Sequence, residues 1–200
     1  MDILDTNIFI LAVYSPLHKK AVCKFINENT TPIPFSLYDE ILNQTLMLIL
    51  SFRKILREIE KGVEVNKISE INNLNNGYDN IYIALKQFSN NFQNIEKLKN
   101  KLEEGLKVLV HIDSWIQVVR HYPENQQQEK DILKRYSHIK TRLHHEDLKI
   151  LTILNHEGLS RNIKIRFITR DKNSIYRYKK EIEEKLPYIQ IIKISEYINL

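Results

Sequence analysis

The residues best placed to do chemistry stand where two apolar runs break off. Ile3-Leu4-Asp5-Thr6-Asn7 and Ile165-Arg166-Phe167-Ile168-Thr169-Arg170-Asp171 each end abruptly in a hydroxyl and a carboxylate. Buried strands of a parallel sheet read as continuous apolar runs, and binding crevices lie outside their carboxyl ends. Two such strands would bring Asp5 and Asp171 to one edge. Two further acids have compatible settings: Glu40 in the first turns of a helix after Ser36, and Asp147 in the first turn of a helix carrying Leu148 and Leu151. Carboxylates gathered in one site are hard to keep ionised without a cation. All-oxygen donors suit Mg²⁺ or Mn²⁺. Zinc is not indicated, because His144 and His145 are adjacent rather than at helical spacing and have no cysteine partners.

These acids need strands and helices to hold them, and the pattern supplies both. The chain has four glycines and five prolines, few breakers for its length, which favours long helices. A helix is predicted from Pro16 to about Asn27, with Ala21, Val22, Phe25 and Ile26 on one stripe. Residues 30–35 read as an extended connection or short strand. Ser36 is the predicted N-cap of the next helix, with Asp39 three residues on completing a box-like start. That helix carries Leu37, Ile41, Leu42, Leu46, Ile49 and Leu50.

Residues 51–105 read as charged, Asn-rich and helical, with a break near 72–77. A helix over 94–104 is expected to stop at Gly105. Residues 107–112, with Val108, Leu109 and Val110, read as a short buried strand, after which Asp113 or Ser114 caps a helix holding Trp115. Further helices are predicted at 126–136 and 145–156, the latter ending at Gly158. A strand at 163–169, a helix near 174–185 and a strand at 189–194 complete the chain. Strands alternating with helices predict an α/β fold with a mostly parallel central sheet.

Composition narrows the setting. Two hundred residues suit one domain, or one domain with a large insertion, and can bury roughly 70% of the unfolded surface. Cys23 is the single cysteine, so no internal disulfide forms; it reads as buried and inert, and a cytoplasmic protein is expected. The longest apolar stretch, Leu46-Met47-Leu48-Ile49-Leu50, is far below the about 20 residues of a membrane span. A net charge of +5 and a sequence pI near 9.1 favour a polyanionic partner. The cations concentrate at Lys130, Lys134, Arg135, Lys140 and Arg142, just before Glu146-Asp147. Trp115, Tyr122 and Tyr136 read as core or interface residues rather than base-stacking platforms, and His111 as a packed strand-end residue.

The stretches Leu4-Asp5-Thr6-Asn7, Ser36-Leu37-Tyr38-Asp39-Glu40-Ile41, Glu146-Asp147-Leu148 with Ile150, and Ile168-Thr169-Arg170-Asp171-Lys172, in this order and these contexts, resemble the PIN-domain ribonucleases. The likeness covers roughly the first fifty residues and the last sixty to ninety. It implies one PIN-like domain over residues 1–200, a three-layer sandwich with extra helices inserted at about 51–105. It also implies that Asp5, Glu40, Asp147 and Asp171 ligate Mg²⁺ or Mn²⁺, supported by Thr6, Asn7 and Thr169.

The activity implied is metal-dependent hydrolysis of RNA phosphodiesters, with Lys134, Arg135, Lys140 and Arg142 contacting phosphates. The setting is a toxin of a toxin–antitoxin pair or an RNA-processing nuclease, with an antitoxin, another protein or a second copy as partner. Two features depart from the family: Asn173 stands where many members carry an acid, and the insertion is long. A catalytically silent RNA- or protein-binding module is the alternative reading. A haloacid-dehalogenase-like phosphatase is disfavoured, because Asn7 stands where its second Asp belongs.

Overall fold

Three apolar runs from the two ends of the chain pair into one parallel sheet in the computed structural model, which describes residues 1–28, 32–123, 126–170 and 175–199. Strand β1 (Asp2–Leu4) passes through Asp5 into helices α1 (Thr6–Leu11) and α2 (Pro16–Glu28). Strand β2 (Ile33–Pro34) runs straight into α3 (Phe35–Glu60), followed by a 3-10 turn at Val65–Lys67, α4 (Ser69–Gly77) and α5 (Asp79–Phe88). Helix α6 (Ile95–Ile116) returns to β3 (His121–Tyr122), and α7 (Gln126–Arg135) and α8 (His145–Arg161) come next. The described chain closes with β4 (Ile165–Thr169), α9 (Lys179–Lys185), β5 (Ile189–Lys193) and α10 (Ile194–Ile198).

The main sheet has the order β1-β4-β5, all parallel, with Leu4 beside Ile168 and Ile168 beside Ile192. A second parallel pair joins β2 to β3. The α/β class is therefore seen as small parallel sheets flanked by helices. Ile3, Leu4, Ile165, Ile168, Ile189 and Ile191 are all fully buried, as strands covered on both faces must be. At the outer end, Arg166 locks the register by donating Nε and Nη2 to the two carboxylate oxygens of Asp2, at 2.6 and 2.7 Å.

Two apolar clusters form the interior, and the long helices run through both. Leu37 and Ile41 at the start of α3 pack around the sheet, while Leu48, Phe52, Ile55 and Ile59 further along belong to the helical cluster. Helix α6 does the reverse: Leu98, Leu102 and Leu109 lie in the helical cluster, Ile112, Trp115 and Ile116 at the sheet. Residues 51–105 are thus continuous with the helices that position the site. Trp115 is a core residue, stacked on Phe9 at 5.4 Å with Phe25 edge-on to both rings. No described helix is long and apolar enough to cross a membrane.

Several local expectations are corrected. Helix α6 starts as predicted, with Asn94 Oδ1 accepting from Lys97 N–H at 2.9 Å, but it neither stops at Gly105 nor gives way to a strand at 107–112. Asp113 and Ser114 therefore lie inside a helix and cap nothing, and His111 is exposed on it. Gly105 serves packing instead of termination. A Cβ there would lie 2.7 Å from Phe52 Cε2 and 2.9 Å from Val13 Cγ1, so only glycine lets α6 approach α3 and the turn after α1 this closely.

Gly158 is likewise interior to α8, pressed against Tyr188, and Asn162 in the left-handed region (φ 53°) ends that helix. The break expected near 72–77 falls at Tyr78, between α4 and α5. Cys23 is half-buried rather than buried. The first part of the connection predicted at 30–35 lies outside the described residues.

Ser36 is not the N-cap of α3. The helix begins one residue earlier, at Phe35, and the Ser36 hydroxyl is buried without a partner among the described residues. The Ser36 N–H instead donates to Glu129 Oε1 at 3.1 Å, so a carboxylate from α7 caps this helix across the fold.

Two expected outcomes follow from the packing. Gly105→Val should destabilise the protein by about 1–3 kcal/mol in urea titration, because both flanking side chains are buried and must move. His18 is buried, donates or accepts at Ser15 Oγ (2.6 Å), and has its pKa lowered from 6.5 to about 4 by burial and by Arg170. Between those values the unfolded chain takes up a proton that the native state refuses, so native stability falls as pH drops through this window. His18→Gln should lose less stability than the parent between pH 6.5 and 4 in denaturant titrations at each pH.

Candidate active site

The geometry of β1 and β4 decides where Asp5 points. Asp5 N–H donates to Ile168 O at 2.9 Å, extending the strand pairing by one residue. Its backbone (φ −63°, ψ 143°) is that of an N-cap for α1, yet its side chain does not cap that helix. The carboxylate turns to the sheet edge, where Thr169 Oγ1 donates to Oδ2 at 2.9 Å. Asp5 is 8% exposed and Thr169 1%, so this pairing is made almost out of water.

Asp5, Glu40 and Asp147 line one surface cavity of about 540 Å³. They come from the end of β1, the second turn of α3 and the first turn of α8. Asp39, Glu129 and Glu146 line the same cavity, against Lys149 and His144. The excess of negative charge shows in Glu40. Burial pushes its pKa up, and the charges of Asp147 and Glu146 add to the rise. Thr6 and Gln44 pull it back down. Gln44 Nε2 donates to Glu40 Oε1 at 3.0 Å. The Thr6 hydroxyl is buried without a hydrogen bond of ordinary geometry, but lies close enough to Glu40 to act on its titration.

Of the residues predicted from sequence, the fold brings Asp5, Glu40, Asp147, Thr6, Asn7 and Thr169 together. Asp171 lies outside the described residues, as do Lys172 and Asn173. Lys134, Arg135, Lys140 and Arg142 are exposed, and none of them lines the cavity. Lys134 pairs with Asp131 at 3.7 Å.

Glu129 and Lys149 were not foreseen. Glu129 is 3% exposed, caps α3 through Ser36 and lies 3.6 Å from Lys149 Nζ, tying α7, α3 and α8 around the cavity. Nothing in Gln126-Gln127-Gln128-Glu129 marks it in the sequence, because its partners are tertiary.

The donor chemistry fits a hard divalent cation: carboxylates with the carboxamides of Asn7, Asn43 and Gln44, and no thiolate. Among the described residues, no group of three or more His, Cys, Asp or Glu side chains is drawn together closely enough to hold a metal. Mg²⁺ needs less from a protein, being held through one or two carboxylates with several waters retained. Asp5, Glu40 and Asp147 can supply that much. No family model, curated protein or solved structure matches the chain.

Glu40 gives a test of this electrostatic picture. Its native pKa is raised, so the native state binds its proton more tightly than the unfolded chain does. Its ionised form therefore costs stability above the native pKa, and that cost disappears below the unfolded pKa. Glu40→Gln should melt higher than the parent at neutral pH in EDTA, with the gain shrinking as pH falls through the raised native pKa toward the ordinary glutamate value and absent below it.

Proposed function

We propose that this protein is a metal-dependent endoribonuclease with a PIN-like α/β architecture, hydrolysing RNA phosphodiesters in the cavity between β1, α3 and α8. The observation that carries the reading is the convergence of Asp5, Glu40 and Asp147 into one pocket, where burial, and after it the charges of Asp147 and Glu146, raise the Glu40 pKa. The parallel order β1-β4-β5, with the pocket outside the carboxyl ends of β1 and β4, supports the architecture.

In this reading Asp5, Glu40 and Asp147 hold Mg²⁺ or Mn²⁺, with Asp171 as the fourth acid of the family pattern. A bound cation of this kind neutralises the attacked phosphate and makes its bound water more acidic. The chain's own contribution is positioning. Thr169 fixes the Asp5 carboxylate, Gln44 fixes that of Glu40, and the Glu129–Lys149 pair holds α3, α7 and α8 in register. Lys134, Arg135, Lys140 and Arg142 remain at the surface to receive the rest of the phosphate backbone, an interaction that weakens with salt. A toxin whose antitoxin covers the pocket, or an RNA-processing enzyme, is the cytoplasmic role such chemistry serves.

The lack of a closed three-ligand set among the described residues favours one other reading, a catalytically silent RNA- or protein-binding module. Calorimetric titration with Mn²⁺ separates the two, since a silent module has no need to bind it. For the nuclease, Asp5→Asn should reduce Mn²⁺-dependent cleavage of single-stranded RNA by about a hundredfold or more. It should leave the melting curve nearly intact, because the asparagine oxygen still accepts from Thr169. Cleavage that persists in both Asp5→Asn and EDTA would refute the assignment.

A further inference from the structure

A second cavity, of about 410 Å³, opens beside the acid pocket and shares Asn7 and Gln44 with it. Its other polar walls are Asn76, Asp79 and Asn80, at the corner where α4 passes into α5. This corner belongs to the helical segment that the PIN resemblance leaves unexplained. The size is that of a small-molecule site.

The lining is distinctive in what it lacks: among the described residues no lysine or arginine faces the cavity, and Asp79 is its one charged group. A phosphate has nothing to neutralise it there. Four carboxamides, each with a donor and an acceptor side by side, suit the edge of a nucleobase instead. Asn7, Asn76 and Asn80 are exposed and make no side-chain hydrogen bond to another described residue, so their amides are available.

We propose that this cavity is a base-reading subsite. It takes the unpaired base of the nucleotide next to the phosphate in the acid pocket, adenine in preference to uracil. The proposal rests on the nuclease reading for its substrate class. Single-stranded RNA is read through splayed-out bases hydrogen-bonded on their edges. Asn and Gln pair bidentately with adenine N6 and N7. The Asp79 carboxylate accepts from an exocyclic amine, which adenine has and uracil lacks. The shared walls place backbone and base of adjacent positions in adjoining cavities. Gly77 lines the space, and a Cβ added to it would meet nothing within 4 Å, so the wall there is open.

The test is fluorescence anisotropy with labelled oligoadenylate and oligouridylate of equal length, at fixed salt and with Ca²⁺ in place of Mn²⁺. Cleavage of mixed-sequence RNA with Mn²⁺ is measured alongside. The parent should bind oligoadenylate about tenfold more tightly than oligouridylate. Asn76→Ala/Asn80→Ala, which removes two exposed amides, should erase the difference. Gly77→Leu, which fills the open space without removing an amide, should do the same. A parent without base preference, or a preference that survives in either folded variant, overturns the subsite even if the protein cleaves RNA. Loss of preference in both variants, in a parent that cleaves nothing, upholds the subsite and defeats the nuclease reading.

Discussion

The hydrogen bond from Thr169 to Asp5 joins residues 164 positions apart, and the candidate site depends on it. It exists because β1 and β4 are neighbours in register, Leu4 against Ile168, so that the residues following each strand meet at one edge. The same pairing makes Asp5 an N-cap residue whose side chain does not cap. A freely placed aspartate at that position would accept from the helix's own N–H groups. Held by Thr169, it is kept for the cavity, and α1 forgoes that cap.

Charge crowding is the second constraint. Six carboxylates and one lysine line the pocket, and Glu40 is destabilised in its ionised form by burial and by Asp147 and Glu146. A chain selected only for stability has no reason to keep such an arrangement. The Glu129–Lys149 pair shows the contrasting case. There a buried acid has a cation and a helix N-terminus to answer it, and it serves as a strut.

What could be read from the sequence follows from how local each signal is. The sheet strands were legible because burial on both faces leaves an uninterrupted apolar run ending in a polar residue. The places of Asp5, Glu40 and Asp147 in the fold were legible because Asp5 follows a strand and the other two stand in the opening turns of helices. The run Val108-Leu109-Val110 was misread as a strand because a short apolar stretch is ambiguous between a buried strand and a buried helix segment. Gly105 was misread because a glycine after a helical pattern resembles a terminator. Its actual use, admitting Phe52 and Val13, is visible only once α3 and the turn after α1 are in place. Glu129 was illegible for the same reason, as its partners Ser36 and Lys149 are set by the fold alone.

The adjacency of β1 and β4 also orders events during synthesis. Emerging from the ribosome, β1 has no sheet partner until about residue 169 has followed it, since β4 supplies the neighbouring edge. The helical cluster built from the α3–α6 segment draws on contacts much closer in the chain and can condense earlier. The Asp5–Thr169 hydrogen bond therefore forms only after β4 has been made, and the pocket is completed in the last steps.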